Sequence, residues 1–149
     1  MFLASSNALN AKEYIDTVFN SCVTQDPSTM GMVTCANKAY DNWDRELNKY
    51  YRLLMSELSA QEKKDLKTAQ IAWIDYRDKE FENMNSIHDK LEGTMYLVIF
   101  ADKKVDFVKR RALELKDYYK LLKQGILLTI IKKYKLLLKK CRIIFINIE

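Results

Sequence analysis

Three carboxylates, Asp75, Asp78 and Glu82, recur at spacings of three and four and would lie on one side of a helix. Two carboxyl groups can act as acid and base on a glycosidic bond when their separation is right and burial raises one pKa. Arg77 and Lys79 are close neighbours, and nothing in this segment indicates burial. The pattern favours a solvated acidic face, with contact to a partner as the alternative.

Other residues able to do chemistry are few. His88 is the only histidine, and the cysteines are Cys22, Cys35 and Cys141, whose scattered spacing does not supply the four ligands of a zinc site. The sequence also has no glycine-rich phosphate loop, no serine-centred turn and no local signature of a Cys–His pair. We therefore predict no enzyme, no catalytic residue, no metal and no cofactor, and we interpret His88 as a residue at a helix edge.

The elements that position these side chains are predicted to be helices. The chain has only three Gly and one Pro in 149 residues, and 48% of its residues are hydrophobic. So few breakers leave little room for the turns of a β fold, and the long stretches of good helix formers favour an all-α protein. We expect a compact bundle of about four amphipathic helices, occupying residues 12–120.

Two helices are predicted before residue 59. Asn10 and Glu13 have the spacing of a capping box, and the first helix should end before Asp26-Pro27. Ser28 or Thr29 can cap the second helix. Its apolar stripe has steps of three and four throughout and consists of Ala36, Tyr40, Trp43, Leu47, Tyr51, Leu54 and Leu58.

Two more helices are predicted after a second capping box at Ser59 and Glu62. The third helix should end near Gly93 and bury one face, made of Leu66, Ala69, Trp73, Tyr76, Phe81, Met84, Ile87 and Leu91. Residues 94–101 could be a buried strand or helix, and we interpret them as helical or irregular because no partner strand is visible. The last stripe contains Ala101, Val105, Val108, Ala112, Leu115, Tyr119 and Leu122.

The net charge of +5 is unevenly distributed. Residues 1–120 contain 18 Lys and Arg against 19 Asp and Glu, whereas residues 121–149 contain seven against one. The body therefore lacks the excess of basic residues that nucleic-acid binding requires, and we predict no nucleic-acid partner.

The basic apolar tail, residues 121–149, differs from the rest of the chain. Six cations interrupt the apolar run of residues 126–146, which argues against a membrane span and favours a basic amphipathic helix on an anionic membrane surface. Two alternatives stay open for the tail: packing against the bundle, or a non-native extension from a shifted reading frame. Residues 1–11 are either the remnant of a signal peptide, with the true start upstream, or a disordered terminus.

Three segments together resemble the family typified by the N-terminal domain of the LprI lysozyme inhibitor. They read CVTQDPSTMGMVTCANKAYDNWDRELNKYYRLLMSEL, LKTAQIAWIDYRDKEF and EGTMYLVIFADKKVDFVKRRALEL, over about residues 20–116. Besides a cysteine pair, the ordered motif residues are Leu47, Asn48, Tyr51, Gln70, Trp73, Tyr76, Arg77 and Asp78. The resemblance implies a secreted, periplasmic or lipid-anchored helical domain, usually without known activity, and inhibition of lysozyme for the best-known member.

The resemblance also implies a disulfide between Cys22 and Cys35. The family's second cysteine pair stands here as Phe81 and Ala101, and the loss of both partners together is what a disulfide predicts. The bridge would add roughly 3 kcal/mol and requires an oxidising compartment. Two buried free thiols in a cytosolic protein are the alternative.

Other departures from the family pattern affect single positions. The family's capping Glu is Gly31 here, which predicts a weaker helix start. The family's late Thr and Arg are Asp106 and Lys109, which leaves a role for these positions in doubt. Gln70 and Arg77, beside Trp73 and Tyr76, could brace neighbouring helices or form a recognition surface, and we favour bracing.

The sequence leaves two functions open. It does not indicate the oligomeric state. The first is a periplasmic or secreted binding domain that blocks the cleft of a lysozyme-like muramidase. Because the body is near neutral, this contact would depend on a local acidic patch, which we define as Asp41, Asp44, Asp75, Asp78 and Glu82. The second is a membrane-surface or structural interaction protein that uses the basic tail.

Overall fold

Four helices make up the protein. The computed structural model describes the backbone of residues 11–146 and the side chains of residues 12–135. The helices are α1 (Ala11–Gln25), α2 (Thr29–Glu57), α3 (Ala60–His88) and α4 (Met95–Ile146), and the described residues contain no strand. The predicted all-α bundle is confirmed, and the ambiguous segment 94–101 is helical from Met95 onwards. The predicted cap Asn10 and the rest of residues 1–10 lie outside the described residues.

The core lies between α2 and α4, which form the largest interface, while α1 packs on α2 and α3 packs on α4. Both predicted stripes of α2 and α4 are confirmed. The fully buried cluster is Ile15, Ala36, Ala39, Trp43, Leu47, Leu54, Val105, Val108, Ala112 and Leu115. Removing this apolar surface from water is the main force that holds the helices together.

The helix ends follow the local sequence signals. The Ser28 hydroxyl accepts the backbone N–H of Gly31 at 3.0 Å and caps α2. At the start of α3, Glu62 Oε2 accepts the backbone N–H of Ser59 at 2.8 Å, and the Ser59 hydroxyl accepts the N–H of Glu62. The predicted capping box is therefore confirmed, and α1 ends at Gln25, directly before Asp26-Pro27 as expected.

The predicted buried face of α3 is confirmed only in part, since Leu66, Trp73 and Phe81 pack against the core. Four of its eight members, Ala69, Tyr76, Ile87 and Leu91, are exposed, and the one fully buried residue of the helix is the polar Gln70. The physical reason is that α3 packs mainly against α4, so only a narrow part of its surface is covered. The helix also ends at His88, while Gly93, with a φ of 108°, lies in the connection to α4.

The basic tail is part of α4 and not a separate element. The helix continues through residue 120 without a break and has 52 residues, which corresponds to about 78 Å at 1.5 Å per residue. Every side chain from residue 123 to residue 135 is exposed. This part of the tail therefore lies outside the core, and Lys123 at its start is ion-paired with Glu57 on α2.

Candidate binding surfaces

A disulfide joins α1 to α2. Cys22 and Cys35 are bonded, with their Cα atoms 5.8 Å apart and a separation of 13 positions in sequence. Cys35 is 2% exposed, so the bridge is anchored in the core. The pairing implied by the family resemblance is confirmed.

The start of α2 has an unusual acidic cap. Asp26 Oδ1 accepts both the backbone N–H of Ser28, at 3.1 Å, and its hydroxyl, at 2.6 Å. These two hydrogen bonds hold the pKa of Asp26 below its ordinary value. A Cβ at Gly31 would collide with the Asp26 carboxyl group. The Asp26 carboxylate thus approaches residue 31 from the preceding loop, and glycine leaves room for it.

The charges of three members of the acidic patch act on one tyrosine. Tyr40 on α2 is half-buried, and this burial is the main cause that raises its pKa. The charge of Arg77 lowers the pKa of Tyr40, whereas the charges of Asp44, Asp78 and Asp41 raise it. Carboxylates from α2 and α3 therefore act on the same side chain, and a cation lies among them.

The remaining two members of the patch are grouped around a lysine. Lys79 Nζ lies 2.8 Å from Asp75 Oδ2, and the side chains are 70% and 65% exposed. The hydrogen bond from Lys79 to Asp75 is the main cause that raises the pKa of Lys79, with a smaller contribution from Glu82. These carboxylates lack the dry surroundings that acid–base catalysis on a glycoside requires.

The three motif residues on α2 are Leu47, Asn48 and Tyr51, and two of them contribute to packing. Leu47 is 3% exposed in the core, and Tyr51 packs partly against it. Asn48 Nδ2 donates to the backbone carbonyl and to Oδ2 of Asp44, both at 2.9 Å. Asn48 therefore orients a carboxylate of the acidic patch.

The buried Gln70 braces α3 against α4. Its Oε1 accepts a hydrogen bond from Nε of Arg111 at 3.1 Å. A terminal guanidinium nitrogen of Arg111 also lies 2.6 Å from Glu114, which in turn accepts the Tyr118 hydroxyl at 2.8 Å. This network supports the bracing role that the sequence favoured for Gln70.

Two of the remaining motif residues, Trp73 and Tyr76, line a groove between α3 and α4, which we call the α3–α4 groove. It has a volume of about 450 Å³ and is lined by Trp73, Tyr76, Phe107, Arg110, Arg111 and Glu114. The Phe107 ring centre lies 5.8 Å from that of Trp73 and 5.4 Å from that of Tyr76. Arg77 stacks over Trp73 and pairs with Asp78 at 2.7 Å. The groove thus combines aromatic rings with guanidinium groups.

His88 lies at the other end of the same interface. Its ring meets the Phe100 ring edge to face, with centroids 5.7 Å apart, and Nδ1 is 3.5 Å from a carboxylate oxygen of Asp89. Within the described residues, no three His, Cys, Asp or Glu side chains are grouped as a metal site would require. His88 occupies the helix-edge position that the sequence predicted.

The described part of the tail exposes apolar and basic side chains together. Leu127, Leu128 and Tyr134 are each more than half exposed, and Lys132 and Lys133 lie between them in sequence. No helix among the described residues is both long enough and apolar enough to span a bilayer.

Arg110 and Arg111 of the α3–α4 groove were not among the site residues predicted from the sequence. The sequence did contain a pattern that indicates this face of α4. A second series on α4, one position away from the predicted stripe, also has steps of three and four. It consists of Phe100, Lys104, Phe107, Arg111, Glu114 and Tyr118, and its first four members contact α3.

The fold and its disulfide define a class of small all-α domains with surfaces suited to binding. A family model described as "Lysozyme inhibitor LprI" matches residues 21–115, and this chain belongs to that family. The resemblance noted in the sequence is therefore confirmed.

Two relatives add detail. An uncharacterized protein of Rhizobium meliloti (strain 1021) is 31% identical over 103 residues, which are 60% of this chain and 73% of the relative. The crystal structure of an uncharacterized protein from Burkholderia thailandensis superposes with a TM-score of 0.69 at 26% identity and covers 74% of this chain. The match spans 55% of that solved chain, slightly more than half its length.

Proposed function

We propose that this chain is a non-enzymatic domain of the bacterial envelope, periplasmic or secreted, that inhibits a lysozyme-like muramidase by covering its cleft. The observation that carries the proposal is family membership, because the matched residues extend from the disulfide in α1 to the core residues of α4. A disulfide between Cys22 and Cys35 supports an oxidising compartment.

The acidic patch is the contact surface of this proposal. Asp41 and Asp44 on α2 act on Tyr40 together with Asp78 on α3, so the two helices present carboxylates to one region. Many lysozymes are basic, and the near-neutral body offers them little long-range attraction. A local cluster of carboxylates gives complementarity at short range and sets the orientation of docking.

A lytic assay tests inhibition directly. The purified, oxidised full chain at micromolar concentration is added to bacterial cells with lysozymes of several types. We expect slower lysis with at least one of them, since a covered cleft cannot admit the glycan. Unchanged lysis with every type tested would contradict the proposal.

A pair of matched variants tests the acidic patch. Asp41→Asn with Asp44→Asn removes two charges beside Tyr40, and we expect weaker inhibition with a reduced dependence on salt. Asp65→Asn with Asp117→Asn removes the same charge elsewhere; Asp65 lies about 15 Å along α3 from Asp75. Equal inhibition by both double variants would exclude the patch as the contact surface.

The second candidate function is contact with an anionic membrane surface through the tail. It is favoured by the exposed side chains of residues 123–135, where the mainly apolar segment 126–131 is followed by Lys132, Lys133 and Lys135. Co-sedimentation with vesicles containing phosphatidylserine should pellet the full chain, and Lys132→Glu with Lys135→Glu should abolish pelleting. Reversal of Lys64 and Lys67, two exposed lysines of α3, is the matched control. Equal pelleting of both variants would reject the tail as the anchor.

A further inference from the structure

The charges around the α3–α4 groove leave one cation without a carboxylate partner. Arg77 pairs with Asp78 at 2.7 Å, and Arg111 pairs with Glu114 at 2.6 Å. Among the described side chains, no carboxylate lies within ion-pair distance of Arg110, whose guanidinium carbon is 5.6 Å from the Phe107 ring centre. The groove therefore has a local excess of one positive charge.

The aromatic residues of the groove are arranged to stack against a ring. Tyr76 is 57% exposed although its ring lies 5.4 Å from that of the buried Phe107. The Phe107 ring in turn supports the Arg110 guanidinium, which restricts the orientations of this planar group before a ligand arrives. An ordered guanidinium can donate two parallel hydrogen bonds to a carboxylate.

The side chains of Arg111 and Glu114, on the α4 side of the groove, are held in place by hydrogen bonds. Arg111 is bonded both to the buried Gln70 and to Glu114, so this side of the groove has one defined arrangement. Glu114 accepts hydrogen bonds from Arg111 and Tyr118, and a carboxylate has further lone pairs with which to accept a hydroxyl.

The size of the groove indicates a small ligand. Its volume of about 450 Å³ falls in the range of small-molecule sites. Its six lining residues are far fewer than the roughly 20–30 residues that each side contributes to a stable protein interface. A single excess positive charge beside Glu114 suits one negative charge and disfavours a diphosphate.

We propose that the α3–α4 groove binds a small carboxylated saccharide, with the carboxylate on Arg110, the C–H face of the sugar on Tyr76, and a hydroxyl donating to Glu114. None of the residues that line the groove belongs to the acidic patch, so binding at the groove can be tested independently of lysozyme inhibition. The groove would give the domain affinity for acidic glycans.

Tryptophan fluorescence can test the proposal, because Trp73 lines the groove whereas Trp43 is 2% exposed in the core. The full chain is titrated with trigalacturonate and with its methyl ester, which keeps the rings and loses the charges. We expect a saturable change with the acid and none with the ester. Trp73→Phe should remove the signal.

Variants separate the groove from the basic tail, which also attracts anions. Arg110→Gln should weaken trigalacturonate binding at least tenfold, because it removes a charge-assisted hydrogen bond, and Tyr76→Ala should weaken it too. Lys120→Gln removes an exposed charge elsewhere on α4 and should bind as the wild type does. Circular dichroism melts verify that each variant is folded.

Three outcomes would overturn the proposal: no saturable signal at millimolar trigalacturonate, equal binding of acid and ester, or unchanged binding by Arg110→Gln. Adenosine monophosphate serves as a competing probe. Binding of this nucleotide without binding of trigalacturonate would show that the groove takes a different class of ligand.

Discussion

Lys109 Nζ on α4 lies 2.8 Å from Asp16 Oδ1 on α1, across 93 residues of sequence. The same ammonium group lies 5.4 Å from the ring centre of Trp43, the largest fully buried residue of α2. One side chain of α4 thus contacts two other helices, α1 and α2. Lys109 stands where the family pattern has an arginine, and it still provides a cation at this junction.

Removal of this cation should destabilise the bundle. Lys109→Ala loses a half-buried ion pair and a cation–π contact, and we expect the free energy of unfolding to fall by about 1 kcal/mol. A double-mutant cycle with Asp16→Asn, followed by urea denaturation, measures the coupling. The exposed pair Lys79–Asp75 is the control and should couple by less than about 0.5 kcal/mol. Equal coupling in both cycles would contradict the role assigned to Lys109.

The disulfide should contribute a large share of the stability. Cys22→Ala with Cys35→Ala removes a cross-link between positions 13 residues apart, so the unfolded chain gains conformational entropy. We expect the free energy of unfolding to fall by about 3 kcal/mol. Urea denaturation with and without dithiothreitol measures this loss. The reductant should destabilise the wild type and leave the double variant unchanged; the same shift in both proteins would mean that the reductant acts elsewhere.

Gly31 should not tolerate a side chain. Gly31→Ala places a Cβ against the carboxyl group and the backbone carbonyl of Asp26, and rearrangement of this tight turn should cost about 1–3 kcal/mol. Thermal unfolding measures the cost. Gly125→Ala is the matched control, because nothing lies within 4 Å of a Cβ there, and it should be neutral or stabilising. A tolerated Gly31→Ala would show that Asp26 can move at little cost.

Asp102 should make stability depend on pH in one direction. Burial, followed by the charge of Asp106, raises the pKa of Asp102 in the folded protein. A raised pKa means that the folded protein favours the protonated form of Asp102. The stability that protonation of Asp102 contributes is therefore complete below the ordinary pKa and is lost as pH rises through the pKa of the folded protein. Asp102→Asn should therefore stabilise the protein at pH 7, by no more than about 0.5 kcal/mol, and have no effect near pH 2.

Thermal melts of wild type and Asp102→Asn at the two pH values measure this difference. Asp65→Asn controls for the loss of a carboxylate outside this environment. A greater stabilisation at pH 2 than at pH 7 would contradict the assigned direction.

The helices could be predicted from sequence because their signals are local. Ser59 and Glu62 bond within one turn, and the α2 stripe around Trp43 has regular steps that only a helix places on one face. The disulfide needed the family resemblance, since the spacing of Cys22 and Cys35 does not determine a pairing by itself.

The interface of α3 could not be predicted in the same way. The apolar residues of α3 are numerous enough to predict a broad buried face. In the structure, however, Tyr76 is exposed and the polar Gln70 is buried. Burial of Gln70 is stable because Arg111 satisfies its carbonyl, and that partner lies 41 residues further along the chain. No pattern within α3 contains this information.

The sequence by itself determined where α2 and α3 begin, where α1 ends and which faces of α2 and α4 are apolar, because capping and periodicity act over a few residues. Only the tertiary structure decided that α4 extends past the bundle, that Lys109 meets Asp16, and that Arg110 stands unpaired beside Phe107. These relationships depend on packing between distant segments. The shape and charge of the binding surfaces result from that packing.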